Sequence, residues 1–316
     1  MTLLQRILCI GTTPAIQRVM VFNSITSNAV NRAIQTLEGT AGKSVNVAKV
    51  LKTLGEAPLA VGFLGGARGE AVQADMHRRG IEAEFIQVPA PTRECVTLLD
   101  LHAQTQTELV EESAPVEAPL FAQLLQSIQK WAPHSRAVVM SGTVAPGGPR
   151  DFYPICVRIA NAAGALSALD AQGIALMESL PLKPGLVKPN RVELAATVGR
   201  VLNDETEVRK AMRDLGELGA QRVVVTAGHE PVLAFDGQKY WRITPPEIKA
   251  RNPIGSGDAF TAALVSRLAQ GNDLGEASRW GAAAGAANAL TLLPGELDFD
   301  VLKALLPQIT VDLLPS

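Results

Sequence analysis

The stretch NPIGSGDAF, Asn252 to Phe260, decides how this chain is read. Two glycines and an aspartate stand between a proline-marked extended segment and an alanine-rich run with helical spacing. Glycines at 255 and 257 let the backbone turn its amides inward, and a helix starting near Asp258 presents unpaired N–H groups and a positive dipole end. The loop thus outlines an anion site. Asp258 stands beside it, placed to accept a proton from an attacking hydroxyl during phosphoryl transfer. Taken alone, the same residues also read as a turn and a helix cap, so the rest of the chain has to decide.

With 316 residues and a net charge of −2, the chain is long enough for a sizeable core and lacks the basic footprint of a nucleic-acid binder. Small molecules are the expected partners. Cys9, Cys95 and Cys156 have neither metal-ligand spacing nor a disulfide framework and are expected to be reduced and buried. The opening MTLLQRILCIGTT carries an arginine inside its apolar stretch and no cleavage site, which predicts a first strand, not a signal peptide, and a cytoplasmic protein. The uncharged run Trp280 to Gly295 is shorter than the ~18 residues of a spanning helix. It predicts a helix packed tightly against a neighbour, and no membrane partner.

Early strands are expected at Arg18 to Phe22, Ala29 to Leu37 and Leu59 to Leu64, with a helix over Ser44 to Gly55. A helix over Glu70 to Arg79, a strand over Ile81 to Val88 and a hairpin from Arg93 to Leu101 and Glu108 to Glu111 follow. From about residue 118 helices alternate with strands at Ala137 to Ser141, Leu166 to Asp170 and Arg222 to Thr226. That rhythm predicts an α/β chain, a three-layer α/β/α unit over 1–316 with a mostly parallel sheet, carrying a small β-sheet lid from about 15–37 and 91–113. Ligands of such sheets bind outside the carboxyl ends of the strands, where Gly11, Ser141, Asp170, Lys188 and Thr226 should fall.

GTAGKS, Gly39 to Ser44, is not a P-loop, because Leu37 occupies the position of the required first glycine. Its glycines still allow close backbone approach, with Gly42, Lys43 and Asn46 available to hydroxyls or phosphate. In VKPNRVEL, Lys188, Asn190 and Glu193 open a helix, and the last two can face one ligand or a hydrated metal ion. A capping box demands the same spacing. His77, His102, His134 and His229 form no pairing suited to zinc or a triad.

Taken in order, TPAIQR, GKSVNVAKVLKTLG, GFLGG, TREC, SGTVAPGGP, LDAQG, VKPNRVEL, VVVTAG and NPIGSGDAF resemble the ribokinase-type, or phosphofructokinase B-type, sugar kinases over nearly the whole chain. The similarity is greatest to the branch of 1-phosphofructokinases and tagatose-6-phosphate kinases. This resemblance implies a ribokinase-like fold and an ATP- and magnesium-dependent kinase. Asp258 would be the base, with the amides of Gly255, Ser256 and Gly257 as anion hole. Lys188, Asn190 and Glu193 would handle nucleotide phosphates and, through water, Mg2+. Thr226, Gly228 and the helix Gly281 to Leu290, including Asn288, would bind the nucleotide. Gln17, Gly42, Lys43 and Asn46 would face the sugar, and Arg32, Arg93 and Ser141 the phosphate it already carries. The substrate would be fructose 1-phosphate, fructose 6-phosphate or tagatose 6-phosphate, and the assembly a homodimer through the lid.

The chain departs from that family in having Gln17 for an aspartate, Ala41 and Ser44 for glycines, and Pro231 where a second glycine is usual. A neutral amide in place of a charged hydroxyl acceptor can alter the preferred sugar. A kinase of free sugars or nucleosides and a catalytically weak sugar-phosphate sensor are the competing readings. Arg32 and Arg93 speak against the first and Asp258 against the second.

Overall fold

The computed structural model describes residues 6–315, so Met1 to Gln5, expected to open the first strand, lie outside the description. Strands β1 (Arg6–Gly11), β2 (Ala15–Phe22) and β3 (Gln35–Ala41) lead into helix α1 (Lys43–Thr53), then β4 (Pro58–Leu64), α2 (Gly66–Arg78) and β5 (Glu82–Gln87). The hairpin β6 (Arg93–Asp100) and β7 (Thr105–Val110) follows. Next come α3 (Ala118–Trp131), β8 (Ser135–Ser141), α4 (Phe152–Ala162), β9 (Leu166–Asp170), α5 (Gly173–Ser179) and β10 (Leu186–Val187). Helices α6 (Arg191–Val198) and α7 (Glu205–Glu217) lead to β11 (Val223–Ala227), β12 (Glu230–Phe235) and β13 (Tyr240–Thr244). Helices α8 (Ser256–Ala269), α9 (Leu274–Ala289) and α10 (Phe299–Leu305) precede β14 (Thr310–Leu314).

The large sheet has ten strands in the order β14-β13-β12-β11-β10-β9-β8-β1-β4-β5. Its strands from β11 to β5 pair in parallel, and β12 to β14 add an antiparallel edge. Side chains that alternate across β1 enter two cores. Ile7 and Cys9 meet the apolar faces of α1, α8 and α9, whereas Leu8 and Ile10 meet those of α3, α4 and α7. The result is a three-layer α/β/α arrangement.

Strand order reverses between β1 and β8, and open α/β sheets bind ligands outside the carboxyl ends of their strands at such a switch. Gly11 and Ser141 end those two strands, Asp170 ends β9, Lys188 follows β10 and Thr226 lies near the end of β11, as expected.

The smaller sheet runs β3-β2-β6-β7. Val19, Val21 and Leu99 on one of its faces pack against Leu292 and Leu293, which follow α9. The expected strand Ala29 to Leu37 is displaced: 23–34 is a loop and β3 begins at Gln35. Asn28 takes a left-handed conformation at φ 58°, and the Asn31 side chain bonds the backbone of Thr26 and Ala29, contacts that compete with a strand ladder. The strand instead continues to Ala41, opposite Ala15.

The alanine- and glycine-rich run of α9 packs against α8. A Cβ on Gly281 would lie 2.9 Å from the Phe260 ring, and one on Gly285 3.1 Å from the Ser256 carbonyl oxygen. Small residues therefore allow α9 to press on the first turns of α8, where the GSGD loop begins.

Candidate active site

Helix α8 opens on Gly255, which has φ 84° and whose added Cβ would stand 2.6 Å from Pro294 Cβ, so only glycine fits. The Ala259 N–H bonds the Gly255 carbonyl, and the Ser256 N–H bonds the Pro253 carbonyl at 3.1 Å. The amides of Gly255, Gly257 and Asp258 have no acceptor among the described residues. A Cβ on Gly257 would meet nothing within 4 Å, so the space before the loop is open to an anion. Within the expected set Gly255, Ser256 and Gly257, the Ser256 amide is held in a turn, and the neighbouring Asp258 amide joins the other two in having no acceptor among the described residues.

Asp258 is buried, and its Oδ2 accepts a 2.7 Å hydrogen bond from Asn46 Nδ2 on α1. Burial pushes its carboxyl up to about 6, against the pull of Lys43, Asn46 and Lys188 and with a further push from Asp170. A group titrating there is ionised at neutral pH and still takes a proton readily.

Asp170 was expected at a strand end but was not assigned to the site, and it proves to be the electrostatic centre of this region. It is fully buried at the end of β9. Its Oδ1 accepts from Lys43 Nζ at 3.2 Å, its Oδ2 from Thr261 Oγ1 at 3.0 Å, and Lys188 Nζ lies 3.4 Å from Oδ2. Burial pushes this carboxyl up, yet Lys188, Lys43 and these hydrogen bonds hold it below the usual range. Lys43 is correspondingly held above the usual lysine range, chiefly by Asp170. Thr261 also lies 2.9 Å from the Gly257 carbonyl, which ties Asp170 to the loop bearing Asp258. The signal available in the sequence was an aspartate closing a strand of a βα unit.

Asn190 and Glu193 form a complete capping box: Asn190 Oδ1 accepts from the Glu193 N–H at 2.8 Å, and Glu193 Oε2 from the Asn190 N–H at 2.8 Å. Glu193 Oε1 remains on the site side, 3.9 Å from Lys43 Nζ. Capping and a position beside the site therefore coexist. Thr226 steps out of register with β12 and bridges to Asn190, which joins the two expected nucleotide segments. Gly228 lies in the turn between β11 and β12 at φ 64°, and Pro231 belongs to β12.

Asn288, expected beside a nucleotide, points inward. It is fully buried, donates to the Ile254 carbonyl at 3.0 Å and to Ser256 Oγ at 3.3 Å, and accepts from the Gly295 N–H at 2.8 Å. Its amide braces the loop from behind.

On the sugar side, Gly42 has φ 99° and an added Cβ would clash with Pro14 Cα at 2.7 Å. Ser44 packs its hydroxyl over Gly11, where a Cβ would be only 2.2 Å from Ser44 Oγ, so the extra side chain fills space at the end of β1. Gln17 is buried on β2 and donates to Thr97 Oγ1 at 2.8 Å. Arg93 opens β6 and bonds the Thr13 carbonyl at 3.2 Å. Among the described residues Ser141 Oγ and Asn46 Oδ1 are buried without a hydrogen-bond partner, a hydroxyl and an amide acceptor in the expected sugar-side set. Arg32 is exposed on the loop between β2 and β3. A cavity of about 460 Å³ opens beside Lys43, Asp170 and Glu193, walled by 142–150 and Gln172. Among the described residues no group of three or more His, Cys, Asp or Glu side chains is arranged to hold a metal.

An open anion loop, a buried carboxylate and two lysines sharing one aspartate, all at the switch point of a parallel sheet, belong to an enzyme of the carbohydrate kinase class. Residues 4–296 match the family described as pfkB family carbohydrate kinase, and the chain belongs to that family. It is 31% identical over 308 residues to tagatose-6-phosphate kinase of Staphylococcus epidermidis, covering 96% of this chain and 99% of the relative. Phosphofructokinase-2 of Escherichia coli in complex with substrates and products is 26% identical with a TM-score of 0.88, over 96% of this chain and 98% of that one. The fold is also shared with a Thermotoga maritima protein titled "Possible 1-phosphofructokinase", 23% identical at a TM-score of 0.90 over 98% and 100% of the two chains.

Proposed function

We propose that this chain transfers the γ-phosphoryl group of ATP to a hydroxyl of a ketohexose phosphate, with Asp258 as general base. The observation that carries this reading is a buried carboxyl raised to about 6 beside three unpaired loop amides. The relatives named for tagatose 6-phosphate and for phosphofructokinase activity support a phosphorylated ketohexose as acceptor.

In this mechanism the Asp258 carboxylate, aligned by the Asn46 amide, takes the proton of the attacking hydroxyl. The amides of Gly255, Gly257 and Asp258 meet the charge that develops on the transferred group. Asp170 keeps Lys43 and Lys188 oriented toward the phosphates while balancing their charge. Lys188, Asn190, Thr226 and Gly228 form the nucleotide side, and Gln17, Gly42, Lys43 and Asn46 the sugar side. Arg93, the hydroxyl of Ser141 and the exposed Arg32 serve the phosphate the sugar already bears.

The donors fit Mg2+ in its usual manner, with one or two carboxylates beside phosphates and water and no all-protein cage. Glu193, whose Oε1 stays on the pocket side, would hold it through water, and Mg2+ would offset phosphate charge. The small sheet acts as a lid that excludes water during transfer. Its exposed apolar residues Leu101, Leu109 and Val110 support a homodimer formed through it. A cytoplasmic location accords with three free, buried cysteines. Among the described residues no helix is long and apolar enough to cross a membrane.

The test is ADP release with ATP and Mg2+ across ketohexose phosphates, free hexoses and nucleosides. Turnover confined to one or a few phosphosugars supports the proposal. Turnover on free sugars or nucleosides alone, or ligand binding without turnover, contradicts it.

A further inference from the structure

Lys49 is a buried lysine on α1, one turn beyond Asn46. Its ammonium is surrounded by acceptors: Nζ donates to the Thr40 carbonyl at 2.9 Å and the Pro294 carbonyl at 2.8 Å, and pairs with Glu296 Oε1 at 3.2 Å. Glu296 is held in turn by Arg79 at 2.7 Å, and Arg79 bonds Asp75, which accepts from Thr40 Oγ1. The small sheet, helices α1 and α2, and the segment after α9 therefore meet in one polar network. Burial pushes the Lys49 ammonium below the usual lysine range, with Glu296 opposing. So expensive a group in the interior requires every one of these partners.

The segment that Lys49 holds is wedged between two parts of the site. A Cβ on Gly255 would touch Pro294, and a Cβ on Gly295 would stand 2.8 Å from Asn46 Cα and 3.0 Å from Asn46 Oδ1. Pro294 and Gly295 thus fill the gap between the glycine that opens the anion loop and the residue that aligns Asp258. The peptide that joins Pro294 and Gly295 is fastened on both edges: its N–H, on Gly295, donates to Asn288 Oδ1, and its carbonyl, on Pro294, accepts from Lys49 Nζ.

We propose that Lys49 is a positioning residue for phosphoryl transfer, holding the Pro294–Gly295 wedge that sets Asn46 and the GSGD loop relative to each other. The inference rests on the reading of Asp258 as the base and adds a residue that touches neither substrate. It predicts a loss in kcat larger than the change in either KM, since Lys43 and Lys188 keep their own partner in Asp170 while the geometry of Asn46 and the loop around the reacting group loosens.

The experiment measures kcat, both KM values and the stoichiometry of ATP binding for Lys49→Met, Glu296→Gln and Asp258→Asn. Lys49→Met, per ATP-binding molecule, is expected to lose roughly 10–100-fold in kcat with both KM values within about threefold. Glu296→Gln, which keeps an acceptor for Lys49 and removes the charge, is expected to show the same pattern more weakly and to decide the matter if Lys49→Met does not fold. A lowered melting temperature with wild-type kcat per binding-competent molecule in both variants would reduce Lys49 to a structural role and overturn the proposal. Retained turnover in Asp258→Asn would instead discard the base assignment, so the two failures are separable.

Discussion

Asn46 donates its side-chain amide to Asp258 across 2.7 Å, joining residues 212 positions apart. This bond favours the charged carboxylate, while burial, the larger influence, favours the neutral acid. Replacing Asn46 with Ala removes a stabilising donor, so the acidic limb of the kcat/KM–pH profile should move above the wild-type one, which is expected near 6. An unmoved limb would mean that the bond does not tune the reacting group.

Asp258→Asn should lower turnover by about 10²–10⁴-fold with ATP binding retained. The same change should stabilise the fold at neutral pH. The folded-state value near 6 exceeds the unfolded value of 3.8, so the folded protein holds the proton more tightly and loses stability as pH rises through that window. Removing the charge should recover on the order of 1–3 kcal/mol at pH 7, an advantage that fades below pH ~4. Melting temperatures of the two proteins across pH check both sign and window.

Asp170→Asn leaves Lys43 and Lys188 without their shared counter-charge. The expected destabilisation is about 3–5 kcal/mol, the usual effect of breaking a buried ion pair. Asp170 has the opposite pH dependence to Asp258. Its depressed pKa contributes stability above the unfolded carboxylate range, which is lost as pH falls through the lower folded value. Chemical denaturation of this variant and the wild type at neutral and acidic pH should therefore show a gap that narrows on acidification. In the variant, loss of the Asp170 charge should also shift the kinetic acidic limb downward.

Arg93→Ala should weaken a phosphorylated ketohexose by about 10–100-fold in kcat/KM, the worth of a hydrogen bond to a charged group. The unphosphorylated parent sugar should lose little. Equal losses for the pair would remove Arg93 from the phosphate site and leave it a brace between β6 and the Thr13 carbonyl.

Much of the fold was legible because its signals are local. The βα rhythm after residue 118 and the apolar runs of the parallel strands directly fix where elements lie, and turn glycines separate them. The strand expected from Ala29 failed because Asn28 takes a left-handed conformation and Asn31 binds nearby backbone, effects that hydrophobic alternation does not reveal. In the site, Asp258 and its glycines carry a local pattern. Asp170 does not, since its importance comes from lysines on two other elements that approach only after folding. Asn288 was placed near the nucleotide from its helix, but which face it presents is set by packing of α9 on α8.

The most direct test is the pH dependence of kcat/KM for wild type and Asp258→Asn with the preferred phosphosugar. A wild-type acidic limb near 6 is expected and, in the variant, a residual rate that lacks that limb. Near-normal turnover in Asp258→Asn, or the same limb in both proteins, would contradict the assignment of Asp258 as the base.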